Sequence, residues 1–245
     1  MSHFTTAKKV YDRLKEEIVS CALAPGTDFS EADLCARFKV SRTPVREACL
    51  RLEREGLIRI IPYKGYFVAP LILAEFHALQ EVQVIVDPAA AGLAAHRATV
   101  EEIKQMESWA KYEYNVGAKS SYYDFLDLNL NLHVAIAQAT RNEHLAQIVA
   151  DIHMRLLRFF YLGLSMDSYG PQLVKEHMAI VAAIKSHDAI AARRQAKEHA
   201  RNTIRRSQRL FVAESEVPRR FTSRDLGVSP PSTLKSLVQW KTRRE

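Results

Sequence analysis

Hydrophobic residues recur at intervals of three and four along almost the whole chain, which is the spacing of amphipathic helices. In the first segment, Val10, Leu14 and Ile18 share one apolar stripe and predict a helix over about residues 6–22. The Pro-Gly pair at residues 25–26 ends this pattern, because both residues break regular structure. The chain is therefore expected to begin with a helix and a turn.

Two further helices are predicted directly after this turn. Ser30 is placed to cap the second helix, whose buried face carries Leu34 and Phe38. A short turn then leads to Ser41, which is placed to cap a third helix running to Glu55. The inward stripe of this third helix consists of Val45, Ala48, Cys49 and Leu52.

Two short apolar runs at residues 57–61 and 66–68 flank a turn and predict a β-hairpin with Lys64 and Gly65 at its tip. A helix-turn-helix followed by a basic-tipped hairpin is a winged helix-turn-helix. In that architecture the third helix presents its N-terminal side chains to the major groove of DNA. The wing would lay Lys64 and the backbone of Gly65 along the minor groove or the phosphates.

The chain beyond residue 73 has helical periodicity, with turn-forming residues near 87–88, 116–117, 141–142, 169–171 and 187–188. These breaks predict six or seven helices over about residues 74–214 and no strand. The predicted fold class is mainly α: a winged helix-turn-helix over residues 1–70, an all-helical bundle over 74–214, and a basic, flexible tail over 215–245.

Composition narrows the class of protein. The three cysteines form no CxxC pair, which excludes a disulfide scaffold and a cysteine-rich zinc site and fits a reducing cytoplasm. No apolar run reaches about 18 residues, so no membrane-spanning helix is expected. The chain also lacks a Gly-rich phosphate loop, which removes support for a nucleotide-binding enzyme.

The formal net charge is +7, and its distribution points to nucleic acid. Residues 37–64, which cover the third helix and the wing, hold eight basic and three acidic residues. A local basic excess is what a phosphate backbone attracts, although an isolated basic run is also common on solvated surfaces. The predicted reading helix favours the DNA interpretation.

The stretch ALAPGTDFSEADLCARFKVSRTPVREACLRLEREGLIRIIPYKGYFV carries a specific resemblance. With its flanks, over about residues 7–70, it resembles the DNA-binding domain of GntR-family bacterial transcription regulators, above all in VSRTPVREA followed by RLEREGLI. The resemblance implies that Arg42 and Arg46 read bases and that Ser41 and Thr43 contact phosphates. Ala32 stands where the family often has a DNA-contacting Arg, so the operator is expected to differ from that of relatives.

Three histidines of the predicted bundle lie on apolar faces of different helices: His133, His177 and His199. A buried imidazole needs a partner, and a divalent ion offers all three a common one. A backbone carbonyl satisfies a single core histidine equally well. The spacing alone therefore leaves both interpretations open.

Residues 71–214 resemble the all-helical FCD-type effector domain of the FadR subgroup of GntR regulators. The resemblance rests on four sequence features. They are Asn129 four residues before His133, the segment NEHL, the segment EHMAIVAAI, which contains His177, and His199 near the end of the domain. It implies a divalent metal, zinc or nickel, bound by Asn129, His133, His177 and His199. Asn129 is neutral where the family often has Asp, and Leu132 replaces the usual Phe.

The same resemblance implies a small carboxylate effector that completes the coordination of the ion. Relatives often have an effector-binding Arg at the position of Gln83. Arg155, Arg158 and Tyr161 on a later helix are therefore the candidate effector ligands, alongside Gln83 itself. The alternative for the two arginines is a place on the surface or at an interface.

These observations predict a ligand-responsive transcriptional repressor, and not an enzyme. It would bind a short, nearly palindromic double-stranded DNA operator as a homodimer and sense a small organic acid. One alternative is a metal sensor, in which the ion itself is the signal. A remote one is a metal-dependent hydrolase, but no HExxH motif is present and Glu176 points about 100° away from His177 on a helix.

Overall fold

The structure, a computed structural model, describes residues 6–114, 119–166, 170–211 and 220–221. The chain divides into two compact units, one formed by Met1–Leu73 with Arg219–Glu245 and the other by Ala74–Pro218. The winged helix-turn-helix and the helical bundle that the sequence predicted are both confirmed. The elements of the first unit up to residue 72 are α1 (Thr6–Val19), β1 (Asp28–Phe29), α2 (Glu31–Phe38), α3 (Arg42–Arg54), β2 (Ile58–Ile61), β3 (Gly65–Val68) and β4 (Leu71–Ile72).

Helices α2 and α3 form the helix-turn-helix, and their ends follow from local chemistry. The hydroxyl of Ser30 accepts a hydrogen bond from the backbone N–H of Asp33, and the Asp33 carboxylate accepts one from the N–H of Ser30, at 3.1 Å each. Lys39 adopts a left-handed conformation that ends α2. Ser41 occupies the N-cap position of α3 as predicted, but its side chain makes no capping hydrogen bond. Its hydroxyl is therefore available to another partner.

The wing is a three-stranded antiparallel sheet in the order β1-β3-β2. Strands β2 and β3 are the predicted hairpin, with Ile61 opposite Gly65 at its tip. Strand β1 was not predicted, because two residues are too few to show a periodic pattern. It pairs Asp28 with Phe67 and thereby ties the turn after α1 to the wing.

Part of the basic tail forms a strand. Arg220–Phe221 is β5 and pairs antiparallel with β4, in register Leu71 with Phe221 and Ile72 with Arg220. The remainder of the segment predicted as a flexible tail, residues 215–219 and 222–245, lies outside the described residues.

The second unit holds six helices in its described part, in agreement with the six or seven expected. They are α4 (Leu73–Arg97), α5 (Val100–Ala110), α6 (Lys119–Gln138), α7 (Glu143–Met166), α8 (Gly170–Lys185) and α9 (Ala189–Phe211). The predicted break near residues 87–88 is wrong, because α4 continues through Pro88. Pro88 is buried, and the packing of this helix face outweighs the loss of one backbone hydrogen bond.

Small residues let the helices of the bundle approach closely. Alanines dominate the core-facing side of α4 after Pro88 and recur on α9 at Ala192, Ala196 and Ala200. A Cβ atom at Gly92 would lie 2.3 Å from Nε of Arg193, so the absence of a side chain at Gly92 lets Arg193 of α9 pack directly on α4. This close approach allows side chains from several helices to reach one interior point. None of the helices in the described ranges combines the length and the hydropathy needed to span a bilayer.

Candidate nucleic-acid interface and metal centre

The N-terminal end of α3 is a basic, exposed surface. Val45 points into the core and is fully buried, which turns Ser41, Arg42, Thr43 and Arg46 outward. The side chains of Arg42 and Arg46 are 75% and 61% exposed. The structure therefore places all four sequence-predicted residues on one accessible surface of the reading helix.

Glu31 of α2 holds both arginines. Its carboxylate accepts hydrogen bonds from Nε of Arg46 at 2.5 Å and from Nη2 at 3.2 Å. Nε of Arg42 lies 3.4 Å from the same carboxylate. The sequence pattern gave no indication of this pairing. The pairing places both guanidinium groups beside one carboxylate at the same end of α3.

The tip of the wing displays a second basic position. Lys64 is exposed, and its backbone N–H closes the turn on the carbonyl of Ile61 at 3.0 Å. Gly65 has a φ of +105°, and a Cβ atom there would lie 3.0 Å from the carbonyl oxygen of Phe29. Glycine is required at this position for conformation and for space. The fold thus presents Lys64 at the end of a rigid hairpin.

Four histidines meet inside the second unit. His133 of α6, His177 of α8 and His199 of α9 are all buried, and a candidate ligand atom from each lies within 4.8 Å of the other two. The ring centroids of His177 and His199 are 4.6 Å apart, and the ring of His153 on α7 stacks on His133 at 4.0 Å. The structure thus brings together the three predicted histidines and adds a fourth.

Asn129, the fourth predicted ligand, lies on α6 one turn before His133 and is half-buried. Its position on the same side of α6 is compatible with the predicted role. Its amide carries no charge, so it would contribute one neutral oxygen atom to an ion.

A buried carboxylate completes the cluster. The Nε2–H group of His153 donates to the two carboxylate oxygens of Asp87, at 3.0 and 3.1 Å. Nδ1 of His133 lies 3.6 Å from Oδ2 of the same carboxylate, and Nε2 of Gln83 donates to it at 3.1 Å. Sequence reasoning missed Asp87, which was assigned to a helix break, and His153. The spacing of His153 four residues after buried Val149 was the available signal.

His199 is oriented from outside the cluster by Glu176. The Nδ1–H group of His199 donates to Glu176 at 2.8 Å, while Arg206 donates two further hydrogen bonds at 2.8 Å and Asn202 one at 3.0 Å. Burial alone would raise the pKa of Glu176, but the hydrogen bonds from Arg206 and His199 outweigh it and lower the pKa to about 2. The ionised carboxylate therefore accepts a hydrogen bond from Nδ1–H of His199 and holds the ring in place.

The protonation state of two histidines in the cluster suits a metal ion. Burial, and then the charges of neighbouring imidazoles, hold the pKa of His133 well below its usual value of 6.5. Burial and the charge of His199 lower the pKa of His177 in the same way. Neutral imidazoles are the form that binds zinc or nickel. Within the described part of the chain, Nε2 of His177 is buried without a hydrogen-bond partner, which an ion would supply.

The space beside these residues is small. A cavity of about 10 Å³ is lined by Asp87, His133 and His199, with apolar walls from α4, α6, α8 and α9. This volume holds one ion or one water molecule and excludes an organic acid. A cleft of about 490 Å³, lined by residues of α8 and α9, reaches His199 and Glu176. Its volume is in the range of small-molecule sites.

The predicted effector residues fall in different environments. Gln83 is buried beside Asp87, and Arg158 and Tyr161 of α7 are also buried, the latter with its ring 6.2 Å from that of Tyr122. Arg155 is instead exposed and paired with Glu75. Its guanidinium is held by a carboxylate at the surface, which argues against the expectation that it binds an interior ligand.

Comparison with known proteins shows similarity over both units. Residues 6–68 match the gntR family of bacterial regulatory proteins, and residues 78–202 match the FCD domain. The HTH-type transcriptional repressor RspR of Escherichia coli K12 is 28% identical over 192 residues, which cover 78% of this chain and 84% of the relative. The galactonate operon transcriptional repressor of the same organism is 28% identical over 214 residues, covering 79% and 93%.

The fold also has a solved counterpart. A crystal structure of a putative transcriptional regulator GntR from Rhodococcus sp. RHA1 aligns with a TM-score of 0.65 and 19% identity, covering 85% of this chain and 99% of the other. At this identity the likeness concerns the fold.

Proposed function

Since this chain belongs to the GntR family of bacterial regulatory proteins and carries an FCD domain, and is thus a transcriptional regulator and not an enzyme, we propose that it is a metal-containing repressor. It binds a short, nearly palindromic operator as a homodimer, and a small organic acid sensed in the helical unit releases it. The arrangement of Arg42 and Arg46 on the exposed end of α3 carries this proposal.

The DNA-binding step uses charge and shape together. Arg guanidinium groups donate two parallel hydrogen bonds to O6 and N7 of guanine, and the Glu31 carboxylate keeps both side chains directed along one face. Ser41 and Thr43 supply hydroxyl groups to phosphates, while Lys64 and the Gly65 backbone contact the adjacent groove through the wing. The two relatives described above are repressors, which supports repression over activation.

The sensing step is assigned to the histidine cluster. His133, His177 and His199 would hold a zinc or nickel ion, with Asn129 as a further oxygen donor. The ion would link α6, α8 and α9 and offer an open coordination position to a carboxylate. The cleft that borders His199 gives an organic acid a route toward this position, with Lys175 on its rim.

One observation favours a second candidate function. The interior cavity of about 10 Å³ has room for an ion but not for an organic acid. In this alternative, the divalent ion itself is the signal, and its binding changes the affinity of the protein for the operator.

Footprinting of purified protein on promoter fragments, with and without added zinc, tests the first step. We expect protection of two symmetric half-sites about one helical turn apart. Zinc or nickel salts and a panel of small mono-, di- and tricarboxylic acids are then titrated separately against operator binding. Release by an acid supports the organic-acid sensor, release by the ion alone supports the metal sensor, and absence of sequence-specific protection in every state contradicts the proposal.

A further inference from the structure

Asp87 occupies an unusual position for a carboxylate. It lies in the interior of the bundle on α4, with buried His153 at hydrogen-bond distance and Nδ1 of buried His133 at 3.6 Å. Within the described ranges it is the one carboxylate in the two groups of candidate metal ligands, His133–His177–His199 and Asp87–His133–His153. Burial of a carboxylate is costly unless a positive partner faces it.

The Asp87 carboxylate could compensate part of the positive charge of a bound ion. Three neutral imidazoles and the neutral amide of Asn129 would leave both positive charges of a divalent ion uncompensated in an apolar interior. Glu176, the other carboxylate near the cluster, is already neutralised by two hydrogen bonds from Arg206 at 2.8 Å. Among the residues that the structure describes, Asp87 is the remaining carboxylate beside the cluster, and its participation would halve the net charge of the site.

Asp87 lies beside the interior cavity that could hold the ion. The cavity of about 10 Å³, which fits a single ion, is lined by Asp87 together with His133 and His199. His133 belongs to both groups of candidate ligands and therefore links Asp87 to His177 and His199.

We propose that Asp87 of α4 is the anionic ligand of the metal ion, so that the negative charge absent from position 129 is supplied by a different helix. His153 acts as a positioning residue, because its Nε2–H group holds the carboxylate toward the cluster at 3.0 and 3.1 Å. The ion then joins α4 to α6, α8 and α9. This inference rests on the metal site of the proposed function.

Metal binding by the full-length protein tests the assignment. The protein is stripped with a chelator, and its affinity for zinc is measured by competition with a chromophoric chelator. We expect Asp87→Asn to weaken zinc binding by more than about 100-fold, since loss of a ligand exceeds the effect of losing a group that only orients one. Asp151→Asn, on the exposed side of α7, is the matched control and should bind zinc as the wild type does.

The visible absorption of the cobalt(II) protein separates a ligand from a distant charge. At saturating cobalt, Asp87→Asn should shift the ligand-field bands, because the set of coordinating atoms changes. If Asp87→Asn does not fold by circular dichroism, Asp87→Glu keeps the charge and should bind cobalt with altered bands. Unchanged bands together with zinc affinity within about twofold of wild type, in whichever of these variants folds, would overturn the inference.

The experiments distinguish failure of the proposed metal site from failure of the assignment of Asp87 as a ligand. Wild-type protein that binds no zinc, with His177→Gln behaving in the same way, would contradict the metal site itself. Zinc binding that is lost in His177→Gln but retained in Asp87→Asn would leave the metal site intact and remove Asp87 from it.

Discussion

Glu176 receives hydrogen bonds from three residues of α9, His199, Asn202 and Arg206, and this arrangement decides the state of a candidate metal ligand. The carboxylate selects the proton position on His199 and limits rotation of its ring. Arg206 in turn neutralises the carboxylate, so this partly buried charge has a positive partner. The same arrangement argues against Glu176 as the general base of a hydrolase, because its oxygens are already occupied.

Replacement of Glu176 by Gln should weaken zinc binding by about 10-fold or more, since His199 loses the negatively charged acceptor that fixes its tautomer and orientation. The affinity is measured by chelator competition. Glu198→Gln is the control, because Glu198 neighbours His199 in sequence but is exposed. Equal affinities of the two variants would contradict the orienting role.

Replacement of Arg46 by Ala should cost about 1–3 kcal/mol of binding free energy on the cognate operator and relax base preference, as expected for a base-reading arginine. Fluorescence anisotropy with operator variants measures both effects. Arg54→Ala, at the exposed C-terminal end of α3, should lose less affinity and keep the base preference. A uniform weakening across all sequences in R46A would instead identify Arg46 as a phosphate contact.

The histidines predict a pH dependence of the stability of the metal-free protein. Burial lowers the pKa of His133 and His177 below 6.5 in the folded protein. At a pH between this lowered pKa and the ordinary pKa in the unfolded chain, the unfolded chain therefore binds more protons than the folded one. The free energy of unfolding should be at its full value above about pH 6.5 and fall as the pH decreases below it.

Urea unfolding of chelator-treated protein over about pH 7.5 to 5 measures this dependence. His177→Gln should reduce it, whereas the exposed His144→Gln should not. A stability that is constant over this range would show that the imidazoles are not held neutral by burial.

At the scale of the elements, the wing depends on β1 as much as on the hairpin itself. Strand β3 lies between β1 and β2, and Phe29 stacks on Tyr66 at a centroid distance of 5.6 Å. The hairpin is therefore anchored to the turn after α1, which limits the positions that Lys64 can reach. This anchoring depends on Gly65, whose Cα passes close to the carbonyl of Phe29.

Gly65→Ala should destabilise the wing by about 1–3 kcal/mol, because a left-handed residue acquires a Cβ atom and that atom lies 3.0 Å from the Phe29 carbonyl. Amide hydrogen exchange of β2 and β3 measures the opening free energy. Gly26→Ala also has a positive φ but meets no atom within 4 Å, and should cost less. Equal costs would mean that backbone conformation alone requires glycine at position 65.

At the scale of the whole molecule, the surface proposed to contact DNA and the cluster proposed to act as the sensor belong to different units. The surface of α3 belongs to the first, and the histidine cluster belongs to the second. A two-fold symmetric dimer would place two copies of α3 on two half-sites, which is why a nearly palindromic operator is expected. Coupling between the two functions then requires only that the occupied cluster favours one arrangement of the dimer.

Zinc should stabilise the second unit, because an ion that binds only the folded state adds its binding energy to folding. At free zinc about 100-fold above the dissociation constant, the gain is about 2.7 kcal/mol. Thermal unfolding of the protein with added zinc and with chelator measures the difference. His177→Gln should show no such gain, and an equal gain in this variant would place the stabilising zinc elsewhere.

Local pattern was sufficient to predict much of this protein. The apolar spacing of Val10, Leu14 and Ile18 predicted α1, and the placement of Ser30 and Ser41 predicted where α2 and α3 begin. These features depend on residues within one or two helical turns, so they can be read from a short window. The same reasoning correctly placed His133, His177 and His199 on buried faces.

The sequence by itself determined the helix-turn-helix, the hairpin, the all-helical character of the second unit and the residues of α3, because each is encoded by neighbours along the chain. Tertiary structure alone decided which helix faces meet. Asp87 and His153 are separated by 66 positions, and Glu31 and Arg46 by 15, yet each pair is in contact. Periodicity shows that a side chain faces inward but not which helix it faces, since that depends on how all six helices pack around shared small residues.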